Sequence, residues 1–288
     1  MKHEGSGPLI SIHSSTRRAD SVFVGHILID YSECIGCSVC SSVCIRGNIR
    51  MESGRPVETG EGMGCFDCGH CFATCPMGAI ALTFLDGFGS RGFDPVEHPI
   101  PGDAMMDFLE RRRSCRWFTG DPVTEEEFEA LFRAASCSPS ANNIRDVEFA
   151  VVGDRLMPFM SHISEIMAPR ASELPRFRQL RCFLDDLSHT GNNPLLWEGR
   201  QIILAFSRSR EDAIIAMGRV EMMAYAMGLG GFFSHWIMMV DDQDHDGLME
   251  FFPEIPADKR MCCAFIIGHP RIRFRRTVPR KAPTVHMM

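Results

Sequence analysis

The chain lacks an excess of positive charge. Its 288 residues include 30 Lys and Arg against 37 Asp and Glu, which gives a formal net charge of -7. Binding to nucleic acid draws on a basic surface that displaces counterions from the phosphates. We therefore expect no nucleic-acid partner, although a local basic cluster occurs further along the chain.

Signals for export and for a membrane span are also missing. The first residues, MKHEGSGPLI, contain no apolar segment followed by a small-residue cleavage site. The longest apolar stretch, Met222 to Val240, is interrupted by three glycines, Ser234 and His235, so we expect a helix end that runs into a core segment. Because the 13 cysteines include runs at metal-ligand spacing, the reducing cytoplasm is the expected compartment.

The usual nucleotide-binding loops are absent as well. No G-x-G-x-x-G follows a predicted strand, and no Walker loop is present. The sequence therefore offers no Rossmann-type nicotinamide site.

Two cysteine runs share the spacing C-x2-C-x2-C-x3-C. They read CIGCSVCSSVC, from Cys34 to Cys44, and CFDCGHCFATC, from Cys65 to Cys75. Three thiolates of such a loop surround one [4Fe–4S] cluster, and the fourth reaches the neighbouring cluster. The spacing predicts two ligand sets: Cys34, Cys37, Cys40 and Cys75, and Cys65, Cys68, Cys71 and Cys44. Two zinc sites are the alternative, because C-x2-C pairs also bind zinc.

Residues Gly25 to Leu85 resemble the bacterial two-cluster ferredoxins. Short apolar strands are predicted on both sides of the cysteine runs, in HILIDYSEC and MGAIALTF. One departure is Ile45, which stands after Cys44 in place of proline. The following residues, 87–102, are rich in glycine and proline and predict a linker. We thus expect an extension over 1–24, a ferredoxin-like domain over 25–86 and a second domain over 103–288.

A basic strip follows the predicted linker. Asp103 is the expected N-cap of a short helix, DAMMDFLERR, which leads into RRRSCRWF. Alternate side chains of an extended segment share a face, so Arg112, Ser114 and Arg116 would lie together. Guanidinium groups bind phosphate through two parallel hydrogen bonds. The strip therefore indicates a phosphate site, or else arginines that complement the dipole of the preceding helix.

A turn rich in serine and asparagine comes next. The helix VTEEEFEALFRAAS begins with a predicted capping box of Thr124 and Glu127 and runs into SCSPSANN, residues 136–143. The asparagine amides suit the edge of a uracil-like ring, since an amide both donates and accepts hydrogen bonds. A plain surface loop is the alternative.

From Asp103 to Lys281 the chain resembles the nitroreductase family. The shared motifs are the R-x-S-x-R strip, the capped helix, S-P-S-A-N-N, the strand VEFAVV, a long helix ending in G-L-G, the strand CCAFIIGHP and the basic tail RFRRTVPRK. The resemblance implies an α+β fold with a mixed sheet flanked by helices, and a homodimer with FMN at its interface. It implies these FMN-binding residues: Arg112, Arg113, Ser114, Arg116, Pro139, Ser140, Asn143, Arg276 and Arg280. The turn residues among them would come from the other subunit. Because catalysis would then rest on the cofactor's chemistry and on positioning, we expect no catalytic side chain.

Several positions depart from the family pattern or lie outside it. Arg145-Asp146 replaces the usual Gln-Pro, and we expect either a solvated ion pair or a cation that favours an anionic reduced flavin. The segment 157–198 matches only loosely and is a candidate substrate lid, with Trp197 as the candidate wall of a pocket. Cysteines outside the two runs are expected to be small buried apolar residues, with Cys137 as the candidate reactive thiol.

Together these parts predict an electron relay. Iron–sulfur clusters pass one electron at a time, whereas a flavin collects two and delivers them as a pair. We expect an FMN-dependent oxidoreductase that takes electrons from a ferredoxin-type protein or NAD(P)H and passes them through two clusters and FMN to an electron-poor acceptor such as a nitro compound. The alternatives are a ferredoxin-linked ene reductase or dehalogenase, and an electron-transfer module for a protein partner.

Overall fold

A computed structural model describes residues 27–59, 64–65, 67–83, 90–93, 99–186 and 192–288. The predicted extension over 1–24 and part of the predicted linker lie outside these ranges. The chain divides into two compact units, with the boundary between Gly92 and Phe93. This boundary falls within the linker range, and the predicted domain limits stay predictions. In the described ranges no helix combines the length and apolarity that crossing a bilayer requires.

In its described residues, the first unit contains two short antiparallel sheets and two short helices. Its described elements are β1 (Ile27–Ile29), α1 (Val39–Ser42), β2 (Ile49–Glu52), β3 (Arg55–Glu58), α2 (His70–Thr74) and β4 (Ile80–Leu82). The strands β1 and β4, both predicted from flanking apolar segments, pair with each other, and β2 pairs with β3. Ile27, Ile49 and Ile80 pack with Cys40 in a small apolar core. This core therefore lies directly against the cysteine loops.

The β2–β3 hairpin is not among the predicted elements, although its turn has a sequence signal. Ser53 and Gly54 form the turn with φ of 48° and 78°, and positive φ at both positions is typical of tight hairpins. Arg55 extends from β3 to the first cysteine run, where its Nη1 donates to the carbonyl oxygens of Tyr31 (2.9 Å) and Cys34 (2.5 Å). The hairpin thus braces the first cysteine loop.

The second unit is a sheet covered by helices on both faces. Its described helices are α3 (Gly102–Arg111), α4 (Glu125–Ser136), α5 (Leu156–Ile166), α6 (Pro175–Asp185), α7 (Arg210–Ala226), α8 (His235–Gln243) and α9 (His245–Met249). Its described strands are β5 (Glu148–Val152), β6 (Gln201–Ser207), β7 (Gly230–Phe233) and β8 (Arg260–Gly268). The predicted α+β class is confirmed.

The topology of this sheet corrects one expectation. The strand order is β5-β6-β8-β7, and every pairing among the described residues is antiparallel. The expected mixed sheet is therefore not found in this part of the chain. The helix α7 connects β6 to β7, which run in the same direction, but β8 lies between them and pairs with both. The crossover consequently creates no parallel ladder.

The central strand β6 buries side chains on both faces of the sheet. Its alternating residues divide between two core clusters because side chains alternate along a strand. Leu204 packs with residues of α5, α6 and α8, whereas Ile203 packs with residues of α4 and α7. The segments that carry the predicted flavin site leave this core at the ends of α3, α4 and β8.

Two local predictions have clear outcomes. Asp103 is not the N-cap of α3, because the helix begins at Gly102 after an extended Pro101, and the Asp103 carboxylate accepts from the Ala104 N–H (2.9 Å). The apolar stretch Met222–Val240 covers the end of α7, all of β7 and most of α8. This confirms the expected helix end that runs into a core segment.

Candidate functional site

The first predicted ligand set lines a single pocket. Its walls include Cys34, Cys37, Cys40 and Cys75. Burial is the main cause that raises the pKa of Cys40, and the nearby Cys37 and Cys34 thiols raise it further. The fold therefore brings together three cysteines of the first run and the last cysteine of the second.

The second predicted set lines another pocket. Its walls include Cys44, Cys65, Cys68 and Cys71, together with His70 and Asn48. Burial raises the pKa of Cys71 to about 11, and the neighbouring thiols of Cys65, Cys68 and Cys44 contribute to the shift. Here the fourth cysteine of the first run completes a set from the second run, as the spacing predicted.

Backbone N–H groups are directed at the fourth cysteine of each run. The Asn48 N–H donates to Cys44 Sγ at 3.2 Å, and the Ala79 N–H donates to Cys75 Sγ at 3.3 Å. Both donors stand four residues after their cysteine, so the two runs fold as a repeat. Such bonds stabilise thiolate ligands and tune a bound cluster. Motif spacing alone gave no signal for these donors.

Gly36 in the first loop permits a close backbone contact. Its φ is +67°, and a Cβ at this position would lie 2.5 Å from the carbonyl oxygen of Gly54. Any larger residue would push the β2–β3 hairpin away from the loop. Glycine is therefore required here for the shape of the first pocket.

Each pocket is lined by the four cysteines that a [4Fe–4S] cluster requires. A zinc ion would draw its ligand sulfurs to about 2.3 Å from one point, whereas a [4Fe–4S] cube takes four thiolates spread around its corners.

The arginine strip is extended and anchored at its start. Arg112 Nη1 donates to Glu221 Oε1 on α7 at 2.8 Å. From the tail, Arg280 Nη2 donates to the carbonyl oxygens of Glu110 (3.2 Å) and Arg112 (3.3 Å). The Arg280 side chain thus lies against the backbone at the start of the strip, while the Arg112 guanidinium is paired with Glu221. Glu221, which holds Arg112, has no sequence signal because it lies 109 positions further along the chain.

The other predicted residues of the strip and tail differ in exposure. Ser114 is half-buried, whereas Arg113 and Arg276 are exposed. The guanidinium carbon of Arg116 lies 4.9 Å from the centre of the Phe232 ring on β7. Arg116 is therefore held against the sheet rather than extended into solvent.

Hydrogen bonds organise the Ser/Asn turn. Ser140 Oγ accepts from the Arg145 N–H (2.9 Å), and Asn143 Oδ1 accepts from Arg145 Nε (3.1 Å). The Ala141 N–H donates to the buried carboxylate of Asp212 in the first turn of α7 (3.2 Å). Asp212 is a supporting residue that sequence reasoning missed. The turn is therefore attached to the start of α7.

The Ser/Asn turn contains residues with a left-handed backbone and a buried hydroxyl that has no hydrogen-bond partner among the described residues. Asn142, Asn143 and Arg145 have φ of 49°, 55° and 54°; asparagine tolerates such angles well, arginine less so. The buried Ser138 Oγ has no hydrogen-bond partner among the described residues, and Pro139 beside it is exposed. Strained backbone and orphaned buried hydroxyls are typical of ligand sites.

Arg145-Asp146 is not the expected solvated ion pair. Asp146 is buried and pairs with Lys259 Nζ (3.0 Å) and with Arg208. Burial alone would raise the pKa of Asp146, but the Arg208 N–H and the Lys259 ammonium outweigh burial and lower it. The expectation failed because it considered only the adjacent arginine, whereas the fold supplies two distant cations.

The remaining cysteines divide into two groups. Cys115, Cys262 and Cys263 are buried, as expected, and burial raises the pKa of Cys263 to about 12. Cys137 and Cys182 are exposed, so the expectation of burial is wrong for Cys182. It stands on α6 two residues after a core residue, which directs it to the opposite side of the helix.

Comparison with known proteins assigns the chain to a family. The model of the nitroreductase family matches residues 109–269, and the chain belongs to this family. A second model, the 4Fe-4S dicluster domain, matches residues 33–80, which contain all eight predicted ligands. The predicted combination of a two-cluster segment with a nitroreductase unit is thereby confirmed. No curated protein matches the chain.

Solved structures of similar fold cover the second unit. A nitroreductase with bound FMN from Bacteroides fragilis is 13% identical, with a TM-score of 0.50 over 63% of this chain and 98% of that one. A nitroreductase with bound FMN from Desulfitobacterium hafniense is 19% identical, with a TM-score of 0.49 over 63% of this chain and 97% of that one. At these identities the likeness concerns the fold alone.

Proposed function

We propose that this protein is a cytoplasmic oxidoreductase that passes electrons from two [4Fe–4S] clusters to FMN and then to an electron-poor organic acceptor such as a nitro compound. The observation that carries the proposal is the presence, in one chain, of two four-cysteine pockets and a nitroreductase-family unit. Clusters transfer single electrons, and FMN, when bound, supplies electron pairs. The two units together suit the conversion of one-electron supply into two-electron reduction.

The residues of the second unit fit FMN. The Arg280 side chain bonds to the backbone of Arg112, and both residues carry a guanidinium that keeps its charge, which suits a phosphate group. The orphaned Ser138 hydroxyl suits a polar ligand edge beside the Ser/Asn turn. The FMN in the relative from Bacteroides fragilis supports the same cofactor here. The residues proposed to bind it are Arg112, Arg113, Ser114, Arg116, Pro139, Ser140, Asn143, Arg276 and Arg280.

Membership of the nitroreductase family supports a site shared between two copies of the chain. The Ser/Asn turn is attached to Asp212, and the arginine strip is attached to Glu221. Nine residues of helix separate these two anchors, which corresponds to about 14 Å of rise. We propose that the strip of one copy and the turn of the other bind the same FMN in a homodimer.

The side chains bind and orient rather than react. Reduction of a nitro group to a nitroso group consumes two electrons and two protons and releases water. A ferredoxin-type protein or NAD(P)H supplies the electrons, and solvent supplies the protons, because we assign no catalytic acid or base. Arg112 and Arg280 would bind the FMN phosphate, while the turn would orient the cofactor.

Steady-state turnover by the anaerobic holoprotein tests this function. With dithionite or reduced ferredoxin as donor, we expect nitroaromatic compounds to be reduced faster than enones or aryl halides. A preference for enones or aryl halides would move the assignment to ene reduction or dehalogenation. Failure with all small acceptors, together with rapid electron exchange with a protein, would assign an electron-transfer module instead.

A further inference from the structure

Trp197 is held in a fixed position by an unusual turn. Its backbone is left-handed, with φ of 59°, a conformation that is rare for a large aromatic residue. The Trp197 N–H donates to the Asn193 carbonyl (2.8 Å), and Asn193 Oδ1 accepts from the N–H groups of Leu195 (2.9 Å) and Leu196 (3.1 Å). Both leucines are buried in the core. The turn therefore presents a half-buried indole ring on a rigid base.

Two guanidinium groups from different elements contact this one ring. The guanidinium carbon of Arg116, in the strip, lies 5.9 Å from the ring centre, and that of Arg176, in the first turn of α6, lies 5.8 Å from it. Arg176 Nη1 also donates to the carbonyl of Pro194 (3.3 Å). Trp117 lies alongside, with its ring centre 6.4 Å from that of Trp197. The result is an aromatic surface with a cation at each of two positions.

The described residues provide no counter-charge for these two cations. Neither Arg116 nor Arg176 forms an ion pair within the described ranges, and the first turn of α6 contains no acidic residue. The adjacent carboxylate, Glu198, is bonded to Arg271 Nη2 (2.6 Å) and to the Phe118 N–H (3.1 Å). Partial burial weakens the solvent screening of charges. An anion at this surface would supply the counter-charge that the described residues do not.

We propose that Trp197 and Arg176 form a binding subsite for an acceptor that is an aromatic carboxylic acid. The ring of the acid packs beside the half-buried indole, and its carboxylate accepts two hydrogen bonds from the N–H groups of Arg176 that are not bonded to Pro194. Arg116 keeps its proposed role in binding FMN. This inference rests on the proposed function, because it names the substrate class of the same reductase. It also gives a role to two residues of segment 157–198, the segment that matches the nitroreductase pattern only loosely.

Paired ligands that differ only in charge test the subsite. We expect the holoprotein to bind 4-nitrobenzoate at least tenfold more tightly than 4-nitrobenzamide, measured by titration calorimetry. Arg176→Gln should reduce the affinity for the acid to that for the amide and leave the amide unchanged, while Arg176→Lys should recover part of the preference. Arg178→Gln, an exposed arginine on the same helix, is the matched control and should change neither affinity.

The outcomes separate the subsite from the proposed function. Equal affinities for acid and amide, no binding of either, or an equal loss of both in Arg176→Gln would overturn the subsite. Turnover of nitrobenzene reports on the reductase independently of the carboxylate. If the protein prefers the acid but reduces no nitro compound, the subsite is supported and the proposed function is overturned. If it reduces nitrobenzene but shows no preference for the acid, the proposed function is supported and the subsite is overturned.

Discussion

At the scale of single residues, the buried carboxylate of Asp146 joins three parts of the second unit. Its partners are Lys259, whose side chain is 5% exposed, and Arg208, which also pairs with the exposed Asp258. Lys259 in addition bonds to Glu148 at the start of β5 (2.8 Å). Because Asp146 directly follows Arg145, this ion cluster holds the end of the Ser/Asn turn in place.

We predict that Asp146→Asn lowers the free energy of unfolding at pH 7 by about 3 kcal/mol, since it leaves a buried ammonium without its full counter-charge. The folded-state pKa of Asp146 lies below its usual value of 3.8. Its stabilising effect is therefore complete above about pH 4 and is lost as the pH falls through the folded-state pKa. The variant should accordingly show a weaker loss of stability in acid.

Urea unfolding followed by tryptophan fluorescence measures this effect, because the three tryptophans all lie in the second unit. Asp258→Asn is the matched control: it pairs with the same Arg208, but its side chain is 60% exposed. That change should cost less than about 1 kcal/mol. Equal losses for the two variants would contradict the role given to Asp146.

The predicted site residues rest on local spacing, whereas distant pairing was not predictable. Three ligands of each cysteine set follow from the spacing within one run, because one tight loop supplies them, and the fourth comes from the other run. By contrast, Lys259 reaches Asp146 across 113 positions, and Arg176 meets Trp197 only through the fold. Such contacts depend on tertiary packing, which leaves no local pattern in the sequence.

At the scale of elements, α4 begins with the predicted capping box, which is confirmed. Thr124 Oγ1 accepts from the Glu127 N–H (3.2 Å), and Glu127 Oε2 accepts from the Thr124 N–H (2.8 Å). Phe128 and Leu131 then bury the inner face of the helix against α7 and the sheet. The helix ends where the Ser/Asn turn begins, so its stability bears on the turn.

We predict that Thr124→Ala destabilises the first turn of α4 by about 1 kcal/mol, because the Glu127 N–H loses its side-chain partner. Hydrogen exchange of the amides in residues 125–128 should then become about fivefold faster. Ser136→Ala at the other end of α4 is the control and should leave these amides unchanged. Unaltered exchange in the Thr124 variant would show that packing alone holds this turn.

Elements with strong patterns were predictable, whereas sheet topology was not. The capped helix, the strand at β5 and the continuous apolar strand β8 follow from periodicity and caps. All pairings among the described strands are antiparallel because β8 lies between β6 and β7 and pairs with both. This position depends on packing between distant segments, which no single segment of the sequence reveals. The tight turn of Ser53 and Gly54 was available to sequence reasoning and was missed.

At the scale of the whole molecule, we propose that two chains share each flavin site. The strip and the turn are anchored at different positions on α7 of the same chain. A homodimer would then contain two sites, each with the strip of one subunit and the turn of the other. Exposed apolar side chains on α3, Met105, Met106 and Leu109, provide surface for such contacts.

We predict complementation between two inactive chains. Arg112→Ala removes a strip residue and Asn143→Ala removes a turn residue, so each homodimer should lose both FMN sites. A mixed dimer of the two variants, isolated through two different affinity tags, should contain one intact site and bind about half the FMN of the wild-type dimer. FMN absorbance after purification gives the result.

A second mixed dimer is the control with the opposite expectation. When both substitutions are on one chain and the partner is wild type, every shared site contains one altered residue, so FMN should be nearly absent. If instead each chain builds its own site, the first mixed dimer would be empty and the second half-filled. That pattern would contradict a shared site.

The cofactor content of anaerobically purified protein tests the central claim most directly. Two four-cysteine pockets and one flavin site per chain require about eight iron atoms and one FMN per chain. Elemental analysis and flavin absorbance measure both. Zinc in place of iron, or protein that takes up iron but never FMN, would contradict the account.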